Sequence, residues 1–246
     1  MANRLLPFRQ YDENDVINLF ANDASDANPT TNGNGSAGVF VSIKSGGGNF
    51  SKDPITYVDR SELSASYGHT RNQYPEVQLK VEAAAVGSVA GKVIGVTLKQ
   101  TLEADENGEK LLYNPVKKDE LQAVLSGQAC PVATRGIFTL TSDAIDAAAS
   151  ATAGNDNSCI PGYAAVISPD NAGKVSGINF DSLWTFSATL GSNVPTGVEW
   201  VSQGGDVIKY TPNHVVGTWL GTGLRTTTGP STDVHAGNYA VLKLNL

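Results

Sequence analysis

Tyr239-Ala240-Val241-Leu242-Lys243-Leu244 alternates without a break. Tyr239, Val241 and Lys243 fall on one face of an extended strand, and Ala240, Leu242 and Leu244 on the other. A strand of this kind is expected to be tied into a sheet. The same pattern extends outward. Val215-Val216-Gly217-Thr218-Trp219-Leu220, Val198-Glu199-Trp200-Val201 before the Gly204-Gly205 turn, and residues 184–190 and 163–167 read as further strands. Towards the N-terminus the spacing predicts strands over residues 38–43, 77–82, 92–98 and 137–140, with Val132 in the same sheet. In residues 77–82, Val77, Leu79 and Val81 alternate with Gln78, Lys80 and Glu82. Asn107-Gly108 marks a type I′ hairpin, because both central residues of that turn need positive φ. Residues 143–150 are alanine-rich and predict a short helix with Ser142 as its N-cap.

Composition agrees with many short strands and tight turns. Hydrophobic residues make up 40% of 246, enough for a core, so disorder by composition is excluded. Charged residues are 17%, below the roughly 25% of ordinary domains, and there are 26 glycines. The expected fold class is all-β: one or two small β-barrel or sandwich units with an extended N-terminal arm. Loop composition divides the chain into an arm and linker over 1–38, a β-barrel-like unit over 39–142, and a second β unit over 143–246. Residues 94–98 with 136–140, and 216–220 with 237–242, form a weak internal echo. Two small barrels of related topology would produce it, and so would chance likeness among Gly/Val-rich strands.

Charge narrows the partners. The formal net charge is −7, which repels a phosphate backbone, so no nucleic-acid partner is expected. No apolar run approaches the roughly 18 residues of a membrane-spanning helix. Met1-Ala-Asn-Arg-Leu-Leu-Pro lacks the apolar core of a signal peptide. No membrane partner is expected, and synthesis is expected in a cytoplasm. There Cys130 and Cys159 read as two small buried hydrophobes rather than a disulfide.

No catalytic constellation is legible, and no enzyme activity, cofactor or metal is expected. His69, His214 and His235 are scattered, away from any cysteine pair. No G-x-S-x-G elbow occurs. Gly87-Ser88-Val89-Ala90-Gly91-Lys92-Val93 resembles a phosphate loop only in part. It is one residue short between the glycines, and a strand is predicted where a helix should follow. The acidic residues of 103–109 and Asp119-Glu120 read as a solvated hairpin tip, without EF-hand spacing. Asn49-Phe50-Ser51 fits a glycosylation sequon with nothing to suggest secretion. Trp184, Trp200 and Trp219 sit in apolar strand runs and read as core, although a sugar-binding face would also use tryptophans.

One stretch carries a resemblance. Gly91-Lys92-Val93-Ile94-Gly95-Val96-Thr97, then Gly127-Gln128-Ala129-Cys130-Pro131-Val132 and Arg135-Gly136-Ile137-Phe138-Thr139-Leu140, resembles the small β-barrels of phage capsid cement proteins. Those proteins have a G-x-V-x-G-V-A strand, a charged hairpin and a closing G-x-F-x-L strand. The opening Leu5-Leu6-Pro7-Phe8 with Asp15-Val16-Ile17-Asn18-Leu19-Phe20-Ala21 is similar to the start of virion structural proteins of T4-like cyanobacterial phages. The resemblance implies a decoration protein on the capsid exterior of a tailed-phage virion, bound to the major capsid protein and to itself as a homo-trimer. Residues 1–22 read in two ways, as an arm that docks elsewhere or as a first core strand. As an arm, the contacts would be Leu5, Leu6, Phe8, Tyr11, Val16 and Phe20, adding a strand to a capsid-protein sheet. A neck, tail or fibre component and a carbohydrate-binding β module are the alternative readings.

Overall fold

The structure, a computed structural model, describes residues 4–22, 35–44, 79–102, 104–105, 107–125, 127–146, 159–178, 198–201, 207–225 and 237–246. The fold is all-β. A six-stranded antiparallel sheet is built from β1 (Leu5–Gln10), β9 (Arg135–Thr141), β15 (Gly237–Asn245), β14 (Val215–Arg225), β10 (Ala164–Ile167) and β11 (Val175–Ile178), in that spatial order. A five-stranded antiparallel sheet follows the order β2 (Val16–Ala21), β8 (Ala129–Ala133), β5 (Val93–Thr97), β3 (Phe40–Ile43) and β4 (Val81–Ala83). Two smaller pairs complete it. These are β12 (Val198–Val201) with β13 (Val207–Tyr210), antiparallel, and β6 (Gln100–Thr101) with β7 (Ala123–Val124), parallel.

One apolar core joins the two large sheets. The six-stranded sheet contributes Leu5, Phe138, Leu140, Ala165, Ile167, Trp219, Leu242 and Leu244, and the five-stranded sheet contributes Phe40, Val93, Val96 and Ala133. The β15 alternation settles as the sequence pattern expects. Ala240, Leu242 and Leu244 are buried, opposite Leu140, Phe138 and Gly136 of β9. Each large side chain removed from water here contributes about 2 kcal/mol.

The central strand of the five-stranded sheet, β5, is buried on both faces. Val39, Val41, Val81 and Val132 form a second cluster, with Phe20 and Ile94 packed against it. This explains why residues 93–96 read as a continuous apolar run rather than an alternation. The sheet curls until its end strands meet at one parallel bridge, Ala21 with Lys80, supported by Ala21 N–H donating to the Leu79 carbonyl at 2.9 Å. Among the described residues the ends meet nowhere else, and no closed barrel forms there. Gly95 permits the curl, since a Cβ on it would run into the Ala133 carbonyl.

The chain crosses between sheets twice at one corner. β8 passes into β9 through Thr134, and β1 passes into β2 through a 3-10 turn over Glu13–Asp15. The two crossings are antiparallel partners, β1 on β9 and β2 on β8. Thr134 locks them, its N–H and hydroxyl both donating to the Asp15 carbonyl at 2.8 and 3.0 Å. Residues 1–22 are therefore, from Arg4 onward, part of the folded body rather than a free extension. The six-stranded sheet combines strands from all three stretches into which loop composition divides the sequence.

Other details differ from expectation. The Asn107-Gly108 hairpin forms, but only Gly108 has positive φ, 84°. The Asp105 carboxylate accepts from the N–H groups of Asn107 and Glu109, both at 2.9 Å, which favours an Asx-type turn over type I′. Asp119 and Glu120 belong to the only α-helix among the described residues, α1 (Pro115–Glu120), and not to the hairpin tip. Residues 142–146 are a turn rather than a helix start, and Ile145 bridges to Val175. Leu79 is 54% exposed while Lys80 is buried, because Lys80 is the residue that bridges to Ala21. The echoed strands do not form two like units, since β5 lies in one sheet and β9, β14 and β15 in the other. Val77, His69, His235, the sequon at Asn49, and the strand over residues 184–190 lie outside the described residues.

Candidate functional site: the N-terminal corner

Leu5-Leu6-Pro7-Phe8 divides its side chains between core and surface. Leu5 and Leu6 are 6% and 2% exposed and cannot serve a partner, whereas Phe8 is 62% exposed. On the next strand Leu19 is also 62% exposed, and Tyr11 between them is 38% exposed. Val16 and Phe20 are half-buried, against the main core and the curled-sheet cluster respectively. Of the six arm residues, Phe8 and Tyr11 thus face solvent, and the structure adds Leu19.

Both N-terminal strands are edge strands, β1 of one sheet and β2 of the other. The β1 edge carries Pro7, which has no N–H to donate, and its register with β9 shifts between Leu5 and Arg9. Such irregularity blunts an edge against strand addition. The β2 edge is bridged at Ala21 but has no partner strand over residues 16–19 among the described residues.

A cleft of about 390 Å³ opens at this corner. It is lined by Arg9, Tyr11, Glu13, Val16, Asn18, Leu98, Lys99, Gln122 and Pro131. Its walls are fixed by long-range contacts. Tyr11 stacks on the buried Phe138 ring at 5.9 Å, and Gly136 makes room, since a Cβ there would lie 2.9 Å from the Tyr11 Cβ. The Arg9 guanidinium lies over the Tyr11 ring at 6.0 Å and donates to the Leu98 carbonyl at 3.4 Å. Leu98 N–H donates to Pro131, and Gln100 holds Leu121 through its side-chain amide at 2.7 Å. Gln122 is the one non-glycine residue with positive φ (48°) among those described.

The remaining polar groups of note are structural. Asp146 is buried and its carboxylate accepts from the Ser168 hydroxyl and from the Asn171 amide at 2.8 Å. Ser168 Oγ in turn accepts from the N–H groups of Asp170 and Asn171 at 3.0 Å, closing the β10–β11 turn. Tyr210 donates to the Ile167 carbonyl, and burial, then Asp170 and Asp146, push its phenol up. His214 Nδ1 accepts from Thr211 N–H at 3.1 Å and so caps a turn. Trp219 is fully buried, its indole N–H on the Ser176 carbonyl, and offers no sugar-binding face. Cys130 and Cys159 are free and buried.

Comparison with protein-family models, with curated proteins and with solved structures finds no match.

Proposed function

We propose that this chain is a structural protein of a tailed-phage virion that binds the outer capsid surface through its N-terminal corner. The observation that carries the reading is the exposure of Phe8 and Leu19 on two consecutive edge strands anchored in the core, and of Tyr11 in the link between them. Solvent-facing apolar groups on a rigid corner suit docking without loss of fold. The resemblance of residues 91–97 and 127–140 to capsid cement proteins supplies the partner, the major capsid protein. The physics of cementing is mass action: a protein that binds only the assembled shell stabilises that state at every site it occupies.

The test is co-sedimentation of purified protein with intact phage heads. Deleting residues 1–22 is the wrong variant, since it removes β1, β2 and Leu5 from the core. Phe8→Ser with Leu19→Asp changes two residues that are each 62% exposed and leaves Leu5 and the two strands in place. The double variant should keep the melting temperature within a few degrees and lose most head binding. Unchanged head binding would remove the corner from the contact, and wild-type protein that never sediments with heads would remove the capsid reading.

A further inference from the structure

The cleft beside the corner carries charge chemistry that apolar docking leaves unused. The chain as a whole has a net charge of −7, yet among the described residues the cleft presents Arg9 and Lys99 against the one carboxylate of Glu13. Among the described residues Arg9 is held by two neutral groups, the Tyr11 ring and the Leu98 carbonyl, and a guanidinium has five donors with which to meet a bidentate carboxylate. Leu98, Pro131 and Val16 give the cleft an apolar part. Its wall includes Val16 and Asn18 of β2, a strand with no partner on its outer side over residues 16–19 among the described residues.

We propose that this cleft receives a short extended segment of a partner polypeptide that presents a carboxylate next to an apolar side chain. Arg9 and Lys99 take the carboxylate, and the half-buried Val16 and Pro131 take the apolar group, with the core residue Leu98 behind them. Assigning the segment to the capsid protein rests on the function proposed above. The chemistry of the cleft does not.

The test uses the full chain, isotope-labelled for nuclear magnetic resonance, titrated with a capped peptide alternating Asp and Leu and with its Lys–Leu counterpart. The Asp–Leu peptide should shift the amides of Arg9, Tyr11, Val16 and Lys99, and the Lys–Leu peptide should not. Affinity should fall about tenfold in R9E and in K99E, and fall in wild type as salt rises. Lys99 is exposed, so K99E keeps the test valid if R9E fails to fold. No shift, equal response to both peptides, or affinity unchanged in both variants would overturn the proposal. Shifts of the same amides with protein concentration alone would assign the cleft to a second copy and overturn the partner assignment. Head binding retained by K99E with peptide binding lost would overturn the cleft as a capsid contact while leaving the capsid reading standing. Peptide binding by a protein that never binds heads would uphold the cleft and remove the capsid as its source.

Discussion

At the residue scale, Cys130 and Cys159 show how burial governs reactivity. Desolvation pushes the Cys130 thiol up to about 11, against smaller opposing effects from Lys99 and Thr101, and the Cys159 thiol up to about 12. Neither should react with iodoacetamide at pH 8 in the native protein, and both should react in urea. Mass spectrometry that finds rapid native labelling would contradict their burial. A folded-state value above the unfolded one contributes stability that is intact below the ordinary thiol value and is lost as pH rises through about 11 to 12. Thermal stability should therefore fall on the alkaline side, with Tyr210 acting in the same direction. Trp219 is the largest fully buried side chain among the described residues. Trp219→Ala should cost about 3–5 kcal/mol in denaturant unfolding. A loss below about 1 kcal/mol would contradict its place in the core.

At the element scale, Gln122 holds the turn after α1 in a left-handed conformation, which costs a residue with a Cβ roughly 1 kcal/mol. Gln122→Gly should raise stability by about that amount, and a melting temperature that falls would contradict the strain. Gly136→Val should do the reverse, because the added side chain meets Gln10 and Tyr11. A loss of about 1–3 kcal/mol is expected, with displacement of Tyr11 from its stack. The strands themselves were largely legible. Alternation in 239–244, and apolar runs in 93–97, 137–140, 164–167 and 215–220, mark β15, β5, β9, β10 and β14. The errors lie where tertiary pairing overrides local preference. Alanine-rich residues after Ser142 favour a helix, but Val175 donates to the Ala144 carbonyl and accepts from Asp146 N–H, so the turn over 142–144 ends in a bridge of Ile145 to Val175 instead. The helix α1 had a readable signal in Asn114-Pro115, a cap followed by proline, with Asn114 Oδ1 accepting from Lys117 N–H at 3.2 Å.

At the scale of the whole molecule, the sandwich ties its N-terminal segment to both sheets and leaves one corner of it apolar and open. Apolarity near the N-terminus pointed to Phe8 and Tyr11. It could not separate them from Leu5 and Leu6, because which face of β1 meets the core depends on β9, far along the chain. Arg9, Leu98, Lys99 and Gln122 were not legible as one site, since the cleft gathers segments as distant as the 89 positions between Arg9 and Leu98. The central claim is that this corner docks on the outer shell of a virion. Cryo-electron microscopy of the particle tests it most directly. The account predicts density for this chain on the outer shell, with Phe8, Tyr11 and Leu19 against the major capsid protein. Density confined to the neck or tail, or none on the particle, would contradict it.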